Sequence, residues 1–222
     1  MVNGYCIMSY DTYIFDLDGT LLDTLQDLAA SVNYALRQHH MPEHSIDDVR
    51  RFVGNGVRRL MERAIPEGAA NPAFEAAFAT FRKYYMEHSL DTTRPYDGIP
   101  ELIHELKKRG CQMAVVSNKM MAATQELVHH FFSEIEVAIG EDEAAGIRKK
   151  PAPDTVFVAL KQLGEGSAVY VGDSDVDLAT ARNSGLPCIS VLWGFRDCEF
   201  LLAHGATTFV EQPLDILSIE YR

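Results

Sequence analysis

The chain has 222 residues, of which 47% are hydrophobic and 23% charged, with ordinary numbers of glycine and proline. That is enough apolar content for one domain plus a sizeable insertion, and it excludes disordered and collagen-like classes. The net charge of −12 argues against nucleic acid and anionic membranes as partners, and no apolar run approaches the length of a membrane span.

In chain order, the opening "MVNGYCIMSY" lacks the basic start and long apolar run of a secretory leader. "DTYIFDLD" then reads as a buried strand that meets a turn at Gly19. From Leu25, apolar residues recur at Leu28, Ala29, Val32 and Leu36, the spacing of one helix face. Ser45 and Asp48 form a capping-box pattern before Val49, Phe52 and Val53. "GNG" at 54–56 breaks that helix and "VRRLMERAI" starts another. Pro72 is expected at a first helical position, ahead of Phe74, Phe78, Phe81 and Tyr85. Residues 22–95 therefore read as a helical bundle without strands. Pro100 opens a short helix that Gly110 ends. Strands are expected at "CQMAVVSN", "IEVAIG", "AVYVGD", "CISVLW" and "TTFV". Helices are expected at 122–130, 153–163, through "VDLATARNSG" and through "EFLLAHG".

Strands alternating with helices, each strand a continuous apolar run, indicate an α/β fold with a parallel sheet covered on both faces. The helical stretch interrupts this order after the first strand. Charge supports two modules: Thr24 to Arg94 holds nine acids and nine bases, so the rest of the chain carries the whole −12. The four cysteines, Cys6, Cys111, Cys188 and Cys198, form no C-x-x-C pair. A reduced, cytoplasmic setting is expected.

In an open parallel sheet, ligands bind beyond the carboxyl ends of the strands. Those ends carry "DLD", "SNK" and "GDSDVD", and "RKKPAPD" precedes the helix before the last of these. Asp16, Asp18, Ser117, Asn118, Lys150, Asp173 and Asp177 are thus expected at one rim. Several close aspartates cannot all ionise without a compensating cation. A hard divalent ion is implied, with Mg²⁺ the readily available choice, and Lys150 with the Ser117 hydroxyl would complete an anion site. A calcium-loop reading of "DSDVDLATARNS" fails, because Leu178 stands where that loop needs glycine and Ser184 where it needs glutamate.

Taken together, "FDLDGTL", "SNK", "KKPAPD" and "GDSDVD" resemble the four ordered motifs of the haloacid dehalogenase-like superfamily. "VGNG", "YYMEHSLDTTRPYDGI" and "LWGFR" further resemble phosphoglycolate phosphatase-like members with a helical cap. The resemblance implies a Rossmann-like catalytic core in residues 1–21 and 96–222, with an all-helical cap in residues 22–95. It implies a Mg²⁺-dependent phosphatase acting on a small phosphorylated metabolite, 2-phosphoglycolate first among them, as a monomer or homodimer. Asp16 would be the nucleophile and Asp18 the acid/base. Lys150, Ser117 and Asn118 would bind the phosphoryl group, with Lys150 preferred over Lys149 because it directly precedes the proline. Asp16, Asp18 (through its carbonyl) and Asp173 would hold the metal. Asp177 would hold a metal-bound water or orient Lys150.

In the cap, Gly54 and Gly56 would bring backbone N–H groups to the ligand. Arg58, with Arg59 and Arg63 beside it, would read an anionic leaving group. Trp193 and Arg196 are candidates for the rim. Competing readings on the same fold are a phosphosugar mutase, which must preserve its aspartyl-phosphate from water, and a pyrophosphatase. A dehalogenase would lack an acid/base like Asp18. A phosphonate hydrolase needs a cap lysine, and Lys83 is the only lysine of the insert. A non-catalytic binding protein is disfavoured because every reacting residue is present.

Overall fold

Strand β1 (Thr12–Phe15) consists of four buried residues, and its two faces feed different cores. Tyr13 and Phe15 pack into one apolar cluster and Ile14 into another, so period-2 alternation persists although both faces are apolar. The computed structural model describes residues 10–164 and 166–220. The N-terminal leader reading and Cys6 lie outside the described residues.

After β1 come β2 (Leu22–Asp23), α1 (Leu25–Gln38), α2 (Ile46–Phe52), α3 (Val57–Ala64), α4 (Phe74–His88) and β3 (Arg94–Pro95). The chain then alternates through α5 (Ile99–Lys108), β4 (Gln112–Met120), α6 (Met121–Phe131), β5 (Val137–Glu141) and α7 (Asp154–Leu163). It ends with β6 (Ala168–Gly172), α8 (Asp175–Ser184), β7 (Cys188–Val191), α9 (Cys198–Ala203), β8 (Phe209–Val210) and a 3₁₀ segment, Pro213–Ser218. Six strands form one parallel sheet in the order β5-β4-β1-β6-β7-β8. The central β1 pairs with β4 at Phe15–Val115 and with β6 at Phe15–Val171. The order reverses direction around β1, so the crevice beyond its carboxyl end is where ligands are accommodated.

Helices α1–α4 bury a core of their own, including Val32, Leu36, Leu60, Met61, Phe74 and Phe81, with Phe195 of the main body joining it. The aromatic series on α4 stacks along that core, with Phe81 and Tyr85 centroids 5.6 Å apart. The Ser45–Asp48 capping box is present on α2.

Two expectations need correction. Residues 22–95 are not purely helical: β2 and β3 pair antiparallel at Leu22–Pro95 and Asp23–Arg94 where the chain leaves and re-enters the main body. Two-residue strands are too short to show a period. Pro72 does not open α4, which begins at Phe74 after the N-cap Ala73. Pro72 instead sits in a turn where Asn71 Oδ1 accepts the Ala73 N–H at 2.9 Å.

Asp27, in the first turn of α1 and 3% exposed, ties the two crossings together. It accepts the Thr92 and Thr93 N–H groups at 3.0 and 2.9 Å and the Thr92 hydroxyl at 2.6 Å. Asp27→Ala removes the acceptor of three donors, two of them on the exposed Thr92 and one on the buried Thr93. It is expected to cost about 3 kcal/mol and to lower Tm by roughly 6–12 °C in a thermal melt. A drop of less than about 2 °C would mean that other contacts hold the crossings.

Candidate active site

Asp16 and Asp18 follow β1 directly and flank the fully buried Leu17, so both carboxylates face the crevice at the strand's carboxyl end. Gly19 then turns the chain with φ +86°. A Cβ at Gly19 would sit 2.5 Å from Asp173 Oδ2, and one at Gly194 would collide with the Asp173 side chain. Both glycines let backbone close around that carboxylate. Asp173 follows β6, is 1% exposed, and accepts the Phe195 N–H at 2.7 Å and the Thr20 hydroxyl at 3.4 Å.

Strand β4 carries Ser117, Asn118 and Lys119 to the same rim. The Asn118 side chain accepts the Lys150 N–H at 2.6 Å and donates to the Lys150 carbonyl at 3.0 Å, which fixes the loop ahead of α7. Lys150 is thereby turned inward and buried, while Lys149 is exposed. The Lys150 ammonium donates to Asp16 Oδ1 at 2.7 Å, Asp177 Oδ1 at 2.8 Å and the Tyr170 hydroxyl at 3.2 Å, using all three of its protons. Ser117, 1% exposed, accepts the Lys119 N–H on its Oγ at 3.1 Å.

Asp177 is more heavily engaged than its neighbours. Its Oδ2 accepts the Asp173 and Ser174 N–H groups and the Ser174 hydroxyl, at 3.2, 3.1 and 2.6 Å, as part of the capping box that starts α8. Its Oδ1 takes Lys150 and the Tyr170 hydroxyl, the latter at 3.0 Å. A Cβ at Gly172 would collide with the Asp177 side chain, so this approach also depends on a glycine.

Oxygens of Asp16, Asp173 and Asp177 lie within 4.8 Å of one another. Burial and the charge of Asp177 push the Asp16 carboxyl well above its ordinary value, with Lys150 opposing. Burial and Asp177 push Asp173 up to about 7. For Lys150, burial acts downward, but the charges of Asp16 and Asp177 outweigh it and hold the ammonium above its ordinary value. Crowded anions with oxygen donors and a deficit of positive charge fit a hard divalent cation. Asp177 is committed to five donors, whereas both donors to Asp16 fall on its Oδ1 and each Asp173 oxygen accepts one, so these two carboxylates keep lone pairs for such an ion.

The inserted helices close the crevice from above. The loop at 53–56 lines it, with Gly54, Asn55 and Gly56 all at positive φ, so Gly54 and Gly56 do face the site. Arg63 braces this loop through the Phe52 carbonyl at 2.7 Å. Arg196, which lines the crevice, braces it through the carbonyls of Val53 at 2.5 Å and Arg50 at 3.0 Å. Arg58, expected at the substrate, lies elsewhere. It pairs with Glu75 at 2.5 Å and its guanidinium covers the Phe74 ring at 4.9 Å, an outward apolar–ionic contact on the helical insert. Arg59 pairs with Glu62 at 2.6 Å. Trp193 does not line the crevice either, and its Nε1–H donates to the Thr20 carbonyl at 2.9 Å.

Two residues escaped the sequence reading. From the sequence Tyr170 is only a strand residue, and nothing in "AVYVGD" distinguishes a tyrosine that positions a lysine from one that packs. Lys119 was legible as the third letter of "SNK" but received no role. Its side chain is 8% exposed, lies 3.3 Å from Asp18 Oδ1 and donates to the Tyr85 hydroxyl of α4 at 2.7 Å.

A parallel α/β body whose central strand delivers paired aspartates beside a buried lysine and a second acidic loop defines a hydrolase class that works on anionic esters. The chain belongs to the haloacid dehalogenase-like hydrolase family, whose model matches residues 13–191. It is 33% identical over 186 residues to a phosphoglycolate phosphatase of Aquifex aeolicus, covering 82% of this chain and 84% of the relative. It is 30% identical over 217 residues to an N-acetylmuramic acid 6-phosphate phosphatase of Pseudomonas aeruginosa, covering 96% and 95%. A solved structure from Lactobacillus delbrueckii subsp. bulgaricus, assigned as a phosphoglycolate phosphatase, superposes with TM-score 0.91 at 36% identity, covering 97% of this chain and all of that one. Within the family the protein is a phosphoric monoester hydrolase similar to phosphoglycolate phosphatases. No helix among the described residues is long and apolar enough to cross a membrane.

Proposed function

We propose that the protein is a Mg²⁺-dependent phosphatase that hydrolyses 2-phosphoglycolate through an aspartyl-phosphate on Asp16. The observation that carries this reading is the pair Asp16 and Asp18 at the end of β1, with the Lys150 ammonium 2.7 Å from Asp16. Asp16 attacks phosphorus. Lys150, the Ser117 hydroxyl and backbone N–H groups in the last residues of β4, that of Asn118 among them, hold the phosphoryl oxygens, where charge grows in the transition state. Asp18 gives its proton to the leaving oxygen and then takes one from the attacking water. Asp16, Asp173 and the Asp18 carbonyl would hold Mg²⁺. The ion, when bound, neutralises the carboxylates and the phosphoryl oxygens. Asp177 acts on Lys150, holding its ammonium beside Asp16, rather than on the ion. Residues 22–95 act as the cap, and the cysteine pattern suits a cytoplasmic enzyme.

The phosphoglycolate phosphatase relatives support this substrate. A second reading, a sugar-6-phosphate substrate, is favoured by the equally extensive similarity to the N-acetylmuramic acid 6-phosphate phosphatase. A phosphate-release assay over both esters and a panel of phosphosugars, with and without Mg²⁺, tests the proposal. Highest kcat/KM on 2-phosphoglycolate, dependent on Mg²⁺, is the expected outcome. Phosphate release that is indifferent to Mg²⁺, or confined to sugar phosphates, would sink it.

A further inference from the structure

We infer that Lys119 is the specificity residue of this site, and that it binds a carboxylate one methylene away from the ester oxygen. The inference deepens the phosphoglycolate reading and rests on it.

Among the described residues, three cations line the crevice: Lys150, Arg196 and Lys119. Lys150 faces the phosphoryl position and has all its protons engaged. Arg196 is spent on the carbonyls of the 53–56 loop and its approach, and its Nε lies 3.9 Å from Asp175. Arg58, Arg59 and Arg63 are held by Glu75, by Glu62 and by the Phe52 carbonyl. Among the cations of the described residues, Lys119 alone pairs with Asp18, the group expected to protonate the leaving oxygen, and it therefore stands on the leaving-group side of the phosphorus. Its ammonium has two polar partners, Asp18 and the Tyr85 hydroxyl, which leaves one of its three protons for a ligand.

A leaving group with a carboxylate next to the ester oxygen presents an anion to that remaining proton, and a neutral alcohol presents none. Tyr85 comes from α4, so seating the inserted helices over the body also aims the ammonium. The preferred substrate class is thus α-phosphooxy carboxylates.

The test compares wild type, Lys119→Met and Lys119→Arg on 2-phosphoglycolate and on ethyl phosphate, an ester of similar size with a neutral leaving group, in Mg²⁺. Thermal melts of all three proteins establish that they are folded. Wild type is expected to prefer phosphoglycolate, and Lys119→Met to lower the ratio of the two kcat/KM values about 10- to 100-fold, chiefly through KM for phosphoglycolate. Lys119→Arg, which keeps the charge, should retain part of the preference. Equal losses on both esters in Lys119→Met would overturn the inference, because Lys119 would then act only through Asp18. A wild type that turns over ethyl phosphate as well as phosphoglycolate would also overturn it while leaving a phosphatase in place. A wild type inert on both esters would refute the functional reading itself.

Discussion

Asp16→Asn is expected to reduce phosphate release by more than about 10⁴-fold while leaving the protein folded. The amide oxygen can still accept the Leu17 N–H and the Lys150 ammonium, which now lie at 2.7 Å from Asp16 Oδ1. What is lost is the carboxylate proposed to attack phosphorus, since a neutral amide is a poor nucleophile. The substitution also removes one of three crowded buried carboxylates. The variant should therefore melt no lower than the wild type without metal. Incubating wild type with substrate and quenching in acid should trap phosphate on the chain, and Asp16→Asn should trap none. Retention of more than a trace of turnover, with a normal melt, would place the nucleophile on another residue.

The core of this site was legible because its residues sit at strand ends, and strand ends are set by apolar runs that any parallel sheet must contain. Asp16, Ser117 and Asp173 could be placed at one rim from the runs before them and from the rule that parallel sheets bind ligands at their carboxyl edge. Lys150 was placed by its adjacency to Pro151, and its burial beside Asp16 depends on a contact between Asn118 and the Lys150 backbone that lies 32 residues away in sequence. The insert was less legible. Its arginines cluster in sequence after "GNG", which suggested an anion site. In the fold, helical spacing instead turns Arg58 toward Glu75 on the adjoining helix and Arg59 toward Glu62 on its own. Periodicity shows which face of a helix is apolar, but not which polar residue looks into a crevice shared with another element. Lys119 and Tyr85 meet from β4 and α4, 34 residues apart, and no local pattern announces that pair.

Asp173→Asn is expected to do two opposite things: stabilise the metal-free protein at pH 8 and remove its response to Mg²⁺. In metal-free wild type, burial and Asp177 raise the Asp173 carboxyl to about 7, from 3.8. A raised acid pKa favours the folded state while the group is protonated. That contribution is fully present below the unfolded value and is lost as pH rises through about 7. Three units correspond to roughly 2–4 kcal/mol, so the metal-free wild type should melt lower at pH 8 than at pH 6. The Asp16 carboxyl is shifted in the same direction by burial and Asp177. Asparagine keeps an oxygen for the Phe195 N–H, now 2.7 Å away, without the charge. Its metal-free Tm at pH 8 should exceed that of wild type by about 4–8 °C, and its melting should vary less with pH. Mg²⁺ at a hundred times its dissociation constant should stabilise wild type by about 2.7 kcal/mol, because the ion supplies the charge that the carboxylates lack. The variant has lost the anionic oxygen proposed to hold the ion and should show little shift, and its turnover should fall at least about 100-fold. Scanning calorimetry of both proteins in chelator and in Mg²⁺, at pH 6 and 8, separates the two effects. An equal Mg²⁺-induced rise in both would locate the ion away from Asp173, and a metal-free wild type whose Tm does not fall between pH 6 and 8 would remove the electrostatic argument for the cation site.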